Sequence, residues 1–134
     1  MHPPDSRFGA ERAQRAAAHL EELGAGNAGV SLAVLTSEDG FEIAAYRAAE
    51  LSGRIAAMTS SLQALSEAIT REAGLAGSRG LVIEAENGTI VVLGIASTSP
   101  RVSLAVVASN AGTLGALLWS ARNCCKSLEA ALQV

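Results

Sequence analysis

Apolar residues recur along this chain with two periods, and the switches between them mark out its elements. From Gly9 to Leu23 they fall at Ala13, Ala16, Ala17, Leu20 and Leu23, the spacing of one helix face. Asp5 or Ser6 is placed to cap that helix and Gly24 to stop it. Val30–Thr36 alternates as a strand, with Val30, Leu32 and Val34 on one face and Ala33 and Leu35 on the other. Asp39-Gly40 predicts a tight turn, and Phe41–Tyr46 returns as a second strand.

The most regular segment runs over 48–73. Leu51, Ile55, Met58, Leu62, Leu65 and Ile69 repeat in steps of four and three along a helix about 38 Å long at 1.5 Å per residue. Ala56, Ala57, Ser60, Ser61, Ala64 and Ala68 leave its middle small and uncharged around most of the circumference. A helix patterned in this way has a second covered face. Leu81–Glu86, the turn Asn87-Gly88 and Thr89–Ile95 predict another hairpin. Val102–Ala108 is a fifth strand. A last helix over 111–132, capped by Ser109 or Asn110, carries Leu114, Leu117, Leu118, Ala121, Cys125, Leu128 and Leu132 on one stripe.

The predicted topology is αββαβββα, an α/β (α+β) fold. Strands apolar on both faces require helices on both sides of the sheet. The long helix is expected on one face and the terminal helices on the other. Residues 1–9 read as a flexible leader and residues 10–134 as one domain.

Composition narrows the function. The 134 residues are 49% hydrophobic, 17% charged and only 3% aromatic, so the core is built from small side chains and is thin for a monomer. That is a first indication of self-association. No apolar run reaches the ~18 residues of a membrane span. A net charge of −3 and the absence of a basic stripe exclude a nucleic-acid partner. With no apolar leader segment and no disulfide framework, the expected location is cytoplasmic.

Candidate chemistry is sparse. His2 falls in the leader, and His19 reads as a partly exposed helix residue. Adjacent Cys124 and Cys125 have no following ligand pair and make no metal site. Cys125 falls on the core stripe, with Cys124 beside it. Gly112 and Gly115 read as close-packing positions rather than a ligand loop. Arg54 reads as a solvated charge rather than an arginine finger. Trp119 lies away from the apolar stripe of the last helix, where it either marks a partner patch or packs on the first helix. No catalytic residue, cofactor or metal is expected.

The segments Gly29-Val30-Ser31-Leu32-Ala33-Val34-Leu35-Thr36-Ser37-Glu38-Asp39-Gly40 and Leu81-Val82-Ile83-Glu84-Ala85-Glu86-Asn87-Gly88, separated by the long helix, resemble the roadblock / dynein-light-chain family over about residues 10–132. The resemblance implies a five-stranded antiparallel sheet in the order 2-1-5-4-3. It also implies a homodimer formed by pairing of the third strands and packing of the long helices. On that basis Ala57, Ser60, Ser61 and Ala64, with Leu81, Ile83 and Ala85, are the expected dimer interface. Bacterial relatives act as partners or activators of Ras-like small GTPases, which implies a non-catalytic adaptor or GTPase-activating-type regulator. Ser52, Arg54, Thr59, Gln63 and Trp119 are the expected partner-binding residues. Two alternatives stand beside this: a profilin-like small-molecule sensing domain, and an enzyme using Cys124 as nucleophile.

Overall fold

The computed structural model describes residues 8–47, 50–95, 98, 101–110 and 112–133. The elements are α1 (Gly9–Gly26), β1 (Val30–Ser37), β2 (Glu42–Tyr46), α2 (Ser52–Glu72), β3 (Gly80–Ala85), β4 (Gly88–Ile95), β5 (Val102–Ser109) and α3 (Leu114–Leu132). The strands form one antiparallel sheet in the order β2-β1-β5-β4-β3. Element order and sheet order both agree with expectation.

Alternation along the strands sorts side chains into two layers. Ala33, Leu35, Val91, Leu93, Ile95, Val102, Leu104 and Val106 join α1 and α3 in the main core, around Leu20, Leu23, Leu117, Ala121 and Leu128. The opposite layer is thin: Leu32, Val34 and Ala56, with Ala45, Ile55 and Val107 at its margin. Long aliphatic side chains fill the space between the sheet and α1/α3. The layer a sensed metabolite would occupy is therefore already packed.

Several local expectations change. The domain begins before residue 10, because Phe8 is buried in the core and Arg12 binds it twice. The Arg12 guanidinium lies 5.5 Å from the Phe8 ring centre, and its Nε donates to Phe8 O at 2.8 Å. The expected caps Asp5 and Ser6 lie outside the described residues, as do Ala48 and Ala49 at the expected start of the long helix. Gly24 does not stop α1. It sits inside the helix against Tyr46, whose ring would lie 2.2 Å from any β-carbon there. The helix ends instead at Asn27, whose Nδ2 donates to Leu23 O at 2.8 Å. Thr113, rather than Ser109 or Asn110, caps α3 by accepting from Ala116 N at 3.1 Å.

The two hairpin turns differ in mechanism. Gly40 takes φ +89°, as the Asp39-Gly40 signal requires. In the second hairpin Ala85 pairs with Gly88, so the loop residues are Glu86 and Asn87, and neither has positive φ. Gly88 is needed for another reason: a β-carbon there would stand 2.5 Å from Ala108 O across the ladder.

Candidate interaction surface

Two rows of residues run along α2 with the same spacing, one position out of phase. Ser52, Ala56, Thr59 and Gln63 are buried against the sheet. Leu51, Met58, Leu65 and Ile69 belong to the large apolar row and keep between 50% and 68% of their surface exposed. The helix therefore docks on its small, partly polar side. Thr36 explains part of this choice. Its buried Oγ1 lies 3.3 Å from Ala56 O and 3.1 Å from Phe41 O, a contact that requires the helix backbone close to β1. A Leu or Met in that row would hold the helix away from the sheet.

The two flanks of α2 also differ. Gly40 of the first hairpin presses on one flank, where a β-carbon on it would lie 3.0 Å from Ser60 Oγ and 3.4 Å from the Ala57 α-carbon. Glu67 on the same flank pairs with Arg101, which precedes β5. On the other flank Ser66 Oγ hydrogen-bonds Ser78 Oγ, just before β3. At ~100° per residue the large apolar row leans toward this second flank, over the β3 side of the sheet.

β3 is an edge strand that pairs with β4 alone. Leu81, Ile83 and Ala85 face the α2 side, because they pair with Val92, Ile90 and Gly88, whose neighbours Val91 and Leu93 point into the opposite core. Leu81 and Ile83 are half-buried and Ala85 is exposed. Leu75, in the turn after α2, is also exposed. These side chains extend the α2 stripe down to the strand edge as one apolar surface. The ladder from Gly80 to Ala85 contains no bulge, lysine or proline to blunt it. The β2 edge is protected by comparison. Its register shifts at Leu35/Thr36, and it is followed by Arg47 at φ +53°, stacked 5.3 Å from the Tyr46 ring centre.

The residues expected at interfaces separate accordingly. Leu81, Ile83 and Ala85 line the apolar surface. Ser61 and Ala64 are exposed, but Ala57 and Ser60 are half-buried toward the first hairpin. Of the expected partner-binding set, Arg54 and Trp119 are exposed, whereas Ser52, Thr59 and Gln63 lie beneath α2 and offer no docking surface. The exposed stripe of Leu51, Met58, Leu65 and Ile69 was assigned no contact by sequence reasoning. Its signal was the unbroken four-three spacing itself.

Other candidates resolve simply. Cys124, not Cys125, is the more buried thiol, and its Sγ lies 3.7 Å from His19 O. Burial, with the Glu22 charge adding to it, pushes the Cys124 thiol up to about 12, which removes the thiolate a nucleophile needs. Gly112 and Gly115 are not close-packing positions, since nothing lies within 4 Å of a β-carbon at either. Trp119 stands exposed beside a groove of about 300 Å³ between α1 and α3, lined also by His19, Glu22, Asn27 and Cys124. Among the described residues no cluster of histidine, cysteine or carboxylate side chains is arranged to hold a metal, and no helix is long and apolar enough to cross a membrane.

Comparison with known proteins agrees with this architecture. The Roadblock/LC7 domain family matches residues 16–108. The roadblock/LC7 domain from Streptomyces avermitilis superposes with a TM-score of 0.78 at 22% identity, covering 88% of this chain and 98% of that one. The gliding protein MglB from Thermus thermophilus superposes with a TM-score of 0.82 at 18% identity, covering 97% of each chain. An MglB structure described as having a tetrameric arrangement gives 0.82 at 19% identity, over 97% of this chain and 96% of that one. No functionally curated protein sequence matches the chain. With the family matched across most of its length, this chain belongs to the Roadblock/LC7 domain family.

Proposed function

We propose that the protein is a non-catalytic homodimeric interaction module that regulates a Ras-like small GTPase. The observation that carries the dimer is the exposed row Leu51, Met58, Leu65 and Ile69 beside the open β3 edge. Each of these side chains stands to gain roughly 1–2 kcal/mol from burial. A β3 edge paired with its twin across a two-fold axis continues the sheet and satisfies its outward backbone groups. The same axis brings the two α2 stripes together. The MglB described as tetrameric makes self-association of this fold a natural precedent.

In this dimer the large apolar row replaces Ala57 and Ser60 as the helix–helix contact, while Leu81, Ile83 and Ala85 keep their expected role. The outer side of the helix pair then presents Arg54, Ser61 and Glu72, which form the docking surface for a partner. A Ras-like GTPase is the partner implied by the family resemblance, and the similarity to MglB points the same way. The module acts by positioning: the cysteines are buried with raised pKa values, and no metal cluster occurs among the described residues. Calorimetry against the small GTPases of the source organism, in both nucleotide states, tests the regulatory role. Binding that prefers one state supports it. Absence of binding in either state removes the GTPase, leaving the dimer to be judged separately.

A further inference from the structure

A second feature lies on the flank of α2 away from the apolar stripe. A cavity of about 280 Å³ opens between α2, the first hairpin and the β4–β5 end of the sheet, with Glu38, Asp39, Ser60, Gln63, Glu67 and Arg101 in its wall. Gln63 is only 9% exposed, and its Oε1 has no hydrogen-bond partner. A buried amide oxygen without a donor is costly and rare in folded proteins. Gly94 makes this placement possible, since a β-carbon there would stand 2.4 Å from Gln63 Nε2.

The wall specifies what completes it. Arg101 is engaged by Glu67, so Glu38 leaves the lining with excess negative charge. An anion is therefore repelled. Ser60 gives its hydroxyl proton to Ala57 O at 3.0 Å, which leaves its oxygen as an acceptor. The cavity thus offers acceptors and negative charge, and a metal is disfavoured because no metal-holding carboxylate cluster occurs among the described residues. A planar cation with several donors and weak hydration meets these conditions, which is the chemistry of a guanidinium group. A primary ammonium is more strongly hydrated and presents its charge at one point.

We infer that this cavity is a binding site for a guanidinium group, which donates to Gln63 Oε1 and lies against the Glu38 carboxylate of the first hairpin. The inference does not depend on the GTPase role. Two sources share this chemistry: an arginine side chain of a bound protein and a free small molecule.

The test is a ¹⁵N–¹H NMR titration of the full chain, with guanidinium, methylammonium and sodium chlorides at matched ionic strength. Guanidinium is expected to shift Gln63 and Gly94 saturably, with a Kd on the order of millimolar. Gln63→Met removes the acceptor and should weaken binding about tenfold. Glu38→Gln, at an exposed position that cannot unfold the domain, should weaken it several-fold. N-acetyl-arginine amide binding more tightly than free guanidinium assigns the site to a protein side chain, and the reverse order assigns it to a small molecule. Equal shifts with sodium and guanidinium, or unchanged affinity in both variants, would overturn the inference.

Discussion

Met58 and Thr59 are neighbours in sequence and opposites in environment: Met58 is 62% exposed and Thr59 only 2%. One step of about 100° along α2 separates the face that meets the sheet from the face that meets solvent in the isolated subunit. The larger and more apolar residue is the one outside.

Substitutions at this pair should separate association from stability. Met58→Glu is expected to leave the fold intact and weaken self-association by about 2–4 kcal/mol, as loss of a central interface anchor does. Thr59→Met overfills the tight α2–sheet contact and should cost about 1–3 kcal/mol of unfolding free energy. Sedimentation and urea unfolding of both variants check the assignment, and exchanged effects would reverse the two faces.

The same pair shows how far the sequence could be read. Element types, their order and the sheet order were all legible, because periodicity, D-G and N-G signals and the resemblance agreed. The orientation of α2 was not. The rows beginning at Leu51 and at Ser52 share one spacing, and periodicity shows that a helix has faces without showing which face meets the sheet. Hydrophobicity favoured the Leu51 row for burial, but its proposed cover is a second chain. The thiols illustrate a smaller limit, since Cys124 and Cys125 both border the α3 stripe and a small rotation of the helix decides which is deeper. Gly88 was recognised as a needed glycine for the wrong reason: backbone proximity to Ala108, not turn conformation, excludes a side chain there.

Gly40 and Gly88 should both resist substitution. Gly40→Ala forces an L-residue to φ +89° and against Ser60, at a cost of about 1–2 kcal/mol. Gly88→Ala sets a methyl 2.5 Å from the Ala108 carbonyl oxygen and should cost more, because backbone must move. Thermal unfolding is expected to rank wild type above Gly40→Ala and that above Gly88→Ala.

The cysteines predict a specific pH response. Burial pushes both thiols from 9.0 up to about 12 in the folded state. The folded chain therefore holds these protons more tightly than the unfolded chain. The resulting stability is fully present below pH 9 and is lost as pH rises from there toward 12. Urea midpoints measured from about pH 7 to about pH 10.5 should fall at the alkaline end, and the decline should flatten in Cys124→Ala/Cys125→Ala. Alkylation of the native protein at neutral pH should be slow at Cys124.

Trp119 provides an optical check on the opposite face. As the only tryptophan, and 71% exposed, it should emit at long wavelength and be readily quenched by acrylamide. Trp119→Ala should change stability by no more than about 0.5 kcal/mol. A blue-shifted, protected signal would mean that the α1/α3 groove is closed.

The central claim concerns the uncovered side of α2 and the free β3 edge. Sedimentation equilibrium of the wild-type chain at micromolar concentration tests it most directly. A mass of twice 13.6 kDa that falls to a single chain in Leu65→Glu is the predicted result. A stable single-chain mass for the wild type across that range would contradict it.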